Sequence, residues 1–357
     1  MRVTPPILPA FGPDPGTGAP DGDQLEADGG RGGRLRASVG RGAHTPRTAG
    51  CGSCSPRRPP VFRPATRSPT GDHLTLRCVA DQASEAQNKG WGTTMMGPAH
   101  SLSGAAAWLG VGAAAYGAGY PMPWPVLVSG TLICAGAALA PDLDHKAATI
   151  SRAFGPLSRW LCDVVDTLSH AAYKATKMRG DSHRSGGHRT LTHTWLWAVL
   201  IGAGMSLLAM EGGRWAVLGI LFVHMVLAIE GLLWRAARVS SDVLVWLLGA
   251  AAAWILAQEM DLPGNGASWL FTEPGQEYLW LGLPIMLGAL VHDIGDALTV
   301  SGCPILWPIP IGRKRWYPLG TPKPMRFRAG SRVELKVLMP AFMLLGGLGA
   351  LGALGYI

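Results

Sequence analysis

Three short segments carry side chains that bind metal ions. Pro141–His145 reads P-D-L-D-H, His188–Thr194 reads H-R-T-L-T-H-T, and His292–Asp296 reads H-D-I-G-D. Carboxylate and imidazole together suit a divalent ion of hard or borderline character, whereas thiolates select softer ions. Asp142 and Asp144 stand so close in the chain that they repel one another unless a cation or a proton lies between them. His292 and Asp296 are four residues apart, so on a helix they share a face about one turn apart. That spacing suits two ligands of one ion, one ligand and its hydrogen-bonded support, or a His–Asp pair that satisfies itself inside a bundle. Asp293 points elsewhere. Arg189 has the fork geometry to clamp a phosphate or carboxylate, or to stabilise a transition-state anion. The plainer reading of that segment is a basic loop on anionic lipid, with Thr192 or Thr194 capping the next helix; His183 fits that plainer reading.

The elements that must position these residues are apolar runs at about 101–119, 124–140, 194–210, 215–234, 243–257, 279–300 and 337–357. A helix of about 20 apolar residues spans a bilayer, and ionisable groups at that depth are costly and usually functional. The fold expected is all-α, a polytopic transmembrane helical bundle of about seven spans. The connecting loops alternate in charge. Basic side chains crowd 141–192, 235–241 and 301–336, while 120–123, 211–214 and 258–278 hold a single one, Arg214. The positive-inside rule then sets the N-terminus in the cytoplasm and the C-terminus outside. This orientation, drawn without the ligand residues, brings His100, Asp142, Asp144, His145, His193, His292 and Asp296 to the cytoplasmic face. His224 and Glu230, within the fourth run, are expected to be structural.

The net charge of +8 would suggest nucleic acid in a soluble protein, but here lipid headgroups and topology account for the loop cations. Residues 1–94 are rich in Pro, Gly, Arg and Ser and have no apolar periodicity, so a disordered or spurious extension is expected there. The abrupt change near Met95 and Met96 suggests that translation starts at one of them. Of six cysteines only Cys51 and Cys54 form a C-x-x-C pair, and it lies in this tail without a second pair to complete a zinc site. The expected organisation is this tail, a membrane-embedded domain over 95–310, a basic cytoplasmic loop over 311–336 and a last transmembrane helix over 337–357.

Four ordered motifs resemble the YdjM-like family of inner-membrane metal-dependent hydrolases. They are G-P-A-H ending at His100, P-D-L-D-H at Pro141–His145, H-R-x-x-T-H-T at His188–Thr194, and H-x-x-x-D-x-L-T-x-x-G-x-P-x-L-W-P from His292 to Pro308. The resemblance covers about Pro98 to Pro308. Thr190 stands where the family pattern usually has glycine. The resemblance implies a bacterial inner-membrane protein with hydrolase activity.

The reading is a membrane hydrolase acting on an ester, phosphoesters first, with a lipid or other membrane-associated substrate. His100, Asp142, His193, His292 and Asp296 are the expected metal ligands. Asp144 or His145 is a further ligand or the proton-accepting base, and Arg189 stabilises developing negative charge. The imidazole count favours zinc, with manganese or iron as alternatives. The competing class is a scaffold or transporter with a structural metal or proton site.

Overall fold

The computed structural model describes residues 96–182, 188–237, 240–261, 269–270 and 276–357. The expected tail over 1–94, with Cys51 and Cys54, lies outside the described residues, as does His183. Among the described residues all regular structure is helical, and the only β contacts are isolated bridges such as Cys303 with Leu319. The longer helices are α1 Gly97–Gly117, α2 Trp124–Ala137, α3 Pro156–Thr176, α4 Trp195–Leu232, α5 Asp242–Met260, α6 Gly282–Ala297 and α7 Met339–Ala353. Tight helical turns at Ala140–Asp144 and Leu191–His193 carry two of the metal-ligand motifs.

Among the described residues, five stretches are long and apolar enough to cross a membrane: Trp124–Asp144, Trp195–Leu232, Asp242–Met260, Leu279–Ala297 and Glu334–Ala353. The Ala- and Gly-rich α1 is not among them. The 38-residue α4 joins the third and fourth apolar runs. Straight, it would be ~57 Å long, nearly twice the ~30 Å hydrocarbon thickness. It is not straight. Gly213 has φ 55° and ψ −148°, which breaks the helix, and the contacts on either side show that the chain doubles back. Before the break, Gly202 packs on the Gly282 carbonyl and Ser206 donates a hydrogen bond to the Leu279 carbonyl at 2.7 Å. At the break, Arg214 pairs with Asp261 at 3.2 Å. After it, Gly231 packs against Ser101 and Leu139. Both ends of α4 therefore reach the end of the bundle that holds the ligand motifs. A left-handed φ with that ψ is open to glycine almost alone.

Two close approaches set the site end of the bundle. A Cβ on Gly104 or on Gly288 would lie only 2.5 Å from the carbonyl oxygen of Cys134 in α2. Glycine at both positions lets α1 and α6 press onto α2. His100 is one turn before Gly104 and His292 one turn after Gly288, so the same contact draws both imidazoles to the end of α2, where Asp142 follows. Below them the core is filled by Trp108, Trp280, Met225, Met260 and Ile285.

The start of α1 has no side-chain cap of its own. Glu334, fully buried ahead of α7, takes that role: its carboxylate accepts the Met96 N–H at 2.6 Å and the Gly330 N–H at 2.7 Å. The 141–192 segment, expected as a basic loop, instead contains the 21-residue α3. The basic 301–336 segment is ordered without long helices, and Asp181 holds it by accepting the backbone N–H groups of Arg315 and Trp316.

Candidate metal centre

Four of the predicted ligands meet. Asp142 comes from the turn after α2, His193 from the turn before α4, and His292 and Asp296 from successive turns of α6. Each offers one atom to a group whose members all lie within 4.8 Å of one another. His193 and His292, and the Asp296 side chain, are fully buried, and Asp142 keeps only 13% of its side chain exposed. His193 Nε2 lies 3.3 Å from His292 Nε2, 3.6 Å from Asp142 Oδ1 and 3.6 Å from Asp296 Oδ2. His292 Nε2 lies 3.7 Å from Asp142 Oδ1 and 3.8 Å from Asp296 Oδ2. Ligands about 2.0–2.1 Å from a tetrahedral ion stand about 3.3–3.4 Å apart, so these edges are those of a slightly open tetrahedron.

The ring protons show why the group fits a cation. His292 Nδ1 lies 2.7 Å from the Ala138 carbonyl, an acceptor only, so the neutral ring carries its proton there. The Thr192 hydroxyl donates to Asp144 at 2.8 Å, so its oxygen accepts from His193 Nδ1 at 3.0 Å. Both Nε2 atoms are therefore lone pairs aimed at each other and at two carboxylates. Asp142 Oδ1 has no hydrogen-bond partner although it is buried. An arrangement of acceptors only is unfavourable in a buried site unless a positive charge sits among them. The carbonyl, the hydroxyl and Asp144 behind these rings are the outer support that metal-bound imidazoles usually have.

A second group, Asp144, His188 and His193, also has metal-like spacing, but hydrogen bonds already fill it. Asp144 accepts from His188 Nδ1 at 2.8 Å, from the Arg189 backbone N–H at 3.2 Å and from Thr192. Burial works against the charged form of His188, but the hydrogen bond and charge of Asp144, with Asp142 beyond, outweigh it and hold its pKa above the ordinary histidine value. Hydrogen bonds occupy this group, and they position its neighbours.

At three positions the structure shows partners that the sequence did not announce. His100 is not among the four converging atoms: its ring stacks on His292 at 3.8 Å, and its Nε2 lies 3.4 Å from the other oxygen of Asp296. Asp144 has both oxygens engaged in hydrogen bonds, while its group with His188 and His193 keeps metal-like spacing. Arg189 is not free to close on an anion, because its guanidinium meets Asp296 Oδ1 at 2.7 Å and donates to Thr299 Oγ1 at 2.9 Å. Its backbone is held left-handed at φ 64°. Thr190, by contrast, has φ −119°, so threonine in place of the family's usual glycine meets no left-handed strain. Thr194 caps α4 by accepting the Trp197 N–H. His224 bonds the Ile220 carbonyl at 2.7 Å, in line with a structural role. Asp293 is fully buried without a hydrogen-bond partner and is not among the four.

His145 stands at the edge of the site, its ring 4.7 Å from that of His188. Burial and then the charge of His188 lower its pKa below the ordinary value, against the pull of Asp142 and Asp144. With Asp142 it lines a cavity of about 760 Å³, whose other walls include Leu139, Ile150, Arg152, Glu230 and Trp234. Sequence reading missed the supporting groups: His188, the Thr192 hydroxyl, Thr299 and the Ala138 carbonyl. Thr192 had a visible signal, since it directly precedes His193, but its acceptor Asp144 is 48 residues away.

No curated protein and no solved structure matches the chain. A family profile described as YdjM inner membrane protein matches residues 95–232 and 241–351. Its span takes in the four converging Asp and His residues, their hydrogen-bonded support and most of α7, and the chain belongs to the YdjM inner membrane protein family.

Proposed function

We propose that the protein is a metal-dependent hydrolase of the bacterial inner membrane that cleaves an ester, a phosphoester first. The observation that carries this reading is the facing pair of Nε2 lone pairs on His193 and His292, closed off by Asp142 and Asp296. Two imidazoles and two carboxylates suit zinc, with manganese or iron as alternatives. Asp142, His193, His292 and Asp296 would hold a divalent ion, which would supply Lewis acidity to water and to an ester oxygen.

The chain's own residues do the rest. Thr192, Asp144 and the Ala138 carbonyl fix the two ring orientations. Arg189 and His100 hold the outer oxygen of Asp296, leaving Oδ2 toward the imidazoles. His145, kept neutral by its lowered pKa and open to the cavity, is placed to accept a proton from the attacking water. The cavity joins apolar walls at Leu139, Ile150 and Trp234 to the charges of Arg152 and Glu230. That lining favours an amphiphile, a lipid or another membrane-associated ester, over a small polar one. The basic loops support a reading in which this end of the bundle faces the cytoplasm, with seven crossings once α1 and the two limbs of α4 are included.

The test is metal analysis and ester hydrolysis on the purified full chain in bilayers, with wild type, His193→Ala and His145→Gln. A hydrolase loses bound metal and turnover in the first variant and only turnover in the second. Wild-type protein that binds a metal but turns over no phosphoester or carboxylester returns the reading to a scaffold or transporter with a structural site.

A further inference from the structure

The helix α3 has three faces of different chemistry. At about 100° per residue, Ser158, Cys162, Val165, Ser169 and Tyr173 form one stripe, and all are buried against the protein. About a third of a turn away lie Leu157, Trp160, Leu161 and Leu168, which are 65%, 61%, 39% and 49% exposed. The remaining third carries Arg159, Asp163, Asp166 and Lys174. A helix in water alone has no use for the second face. A helix buried in the bundle would have no second and third face at all.

Its ends are pinned to different parts of the bundle. Just before α3, the Ala153 carbonyl accepts from Trp246 Nε1 of α5 at 2.8 Å, and Phe154 packs on Phe222 of α4 and on Trp246. At its last residue, Thr176 Oγ1 accepts from Trp307 Nε1 at 3.3 Å and Trp316 Nε1 at 3.1 Å, in the segment that follows α6. The axis, ~32 Å long, therefore crosses the end of the bundle from α5 toward α6 and does not run alongside the apolar helices. A helix at the rim of the bundle with its small-residue face inward must turn one flank toward the surrounding lipid and the other toward water. The two flanks are apolar and charged, as that placement requires.

We infer that α3 is seated in the interfacial layer of the same membrane, with Leu157, Trp160, Leu161 and Leu168 at the boundary between headgroups and acyl chains. Trp160 is the anchor type enriched at that depth. The neighbouring α5 also exposes large apolar side chains, among them Val243, Leu244 and Leu247, so the bilayer is the partner of the stripe. This inference stands on the membrane-spanning helices and is independent of the metal chemistry.

The experiment places single nitroxide labels on the full chain in lipid bilayers. Cys51, Cys54 and Cys78 are replaced by serine, while Cys134, Cys162 and Cys303 are buried and stay. Labels go on Leu161→Cys and Leu168→Cys for the apolar flank, and on Asp163→Cys and Lys174→Cys for the charged flank. All four are surface positions, so folding is spared. The expected result is an oxygen-to-nickel-chelate accessibility ratio several-fold higher at 161 and 168 than at 163 and 174. Equal ratios on both flanks would overturn the inference by placing the whole helix in water. Shielding of 161 and 168 from both probes would overturn it in favour of a second protein surface, such as another copy of this chain.

Discussion

His193 and His292 present unprotonated Nε2 atoms to each other at 3.3 Å, because each ring spends its proton on the opposite side, toward the Thr192 hydroxyl and the Ala138 carbonyl. Removing either ring, or Asp296, takes one corner from the tetrahedron. His193→Ala, His292→Ala and Asp296→Ala are each expected to leave the protein with well under half of the wild-type metal after dialysis, measured by elemental analysis. Cys303→Ser serves as the contrast. Its sulfur lies 3.9 Å from Asp296, but burial, then the nearby carboxylates, raises the thiol pKa well above its ordinary value. The sulfur is not among the four converging ligand atoms, and metal content is expected to stay at the wild-type level.

Asp144 and Thr192 act through His193, and their loss should be felt in affinity before it is felt in folding. Thr192→Val removes the acceptor for His193 Nδ1 while keeping the shape. Asp144→Asn weakens the anchor for His188 and Thr192 together. Each is expected to lower metal affinity about 10–100-fold, the usual range for outer-shell partners, in competition titrations with a chelating dye. Thermal unfolding of the metal-free protein should change little.

His145 sets the expected pH dependence. Its pKa is lowered, so the neutral, proton-accepting ring persists across the neutral range and is lost only as the pH falls through that lowered value. Turnover should hold steady near neutrality and decline at more acidic pH than an unperturbed histidine would give. His145→Gln should reduce turnover about 10²–10⁴-fold, the range for general-base loss, and abolish that acidic limb in a pH–rate profile.

Gly213 and Gly219 lie six residues apart in α4 and should respond in opposite directions to alanine. Gly213 sits at the reversal with φ 55°, where a side chain costs about 1–3 kcal/mol. Gly219 is helical with open space around the absent Cβ, so alanine there stabilises by about 0.5–1 kcal/mol. Melting temperatures of the two variants in one detergent should fall on either side of wild type.

The apolar runs and the ligand motifs were legible because both are local: a run is read from its own residues, and H-x-x-x-D declares one helical face. The break between the third and fourth runs was legible for the same reason, through the polar, glycine-containing 211–214 segment. What escaped was whatever depends on distant partners. Arg189 looked like a mobile cation, and nothing near it in the chain announces Asp296, Thr299 or the left-handed backbone that delivers it to them. His100 closes one of the four ordered motifs, yet the crossing at Gly104 stacks it behind His292. The helix α3 was hidden because it is amphipathic: Arg159, Asp163, Asp166 and Lys174 interrupt it every few positions, so it never forms the continuous apolar run by which the other helices were read. The resemblance ended at Pro308, whereas the family profile continues to residue 351; the basic segment and α7 lack motifs dense in metal-ligand residues.

The carboxylate of Glu334 holds the backbone of Met96, one turn ahead of His100. During biosynthesis the helix that opens the domain is thus left unanchored until residues near its far end have left the ribosome. The Asp and His cluster matures late, after nearly all the helices that build it have been made, and a nascent chain stalled before Glu334 would carry every member of that cluster while lacking the clasp that keeps its first helix in register.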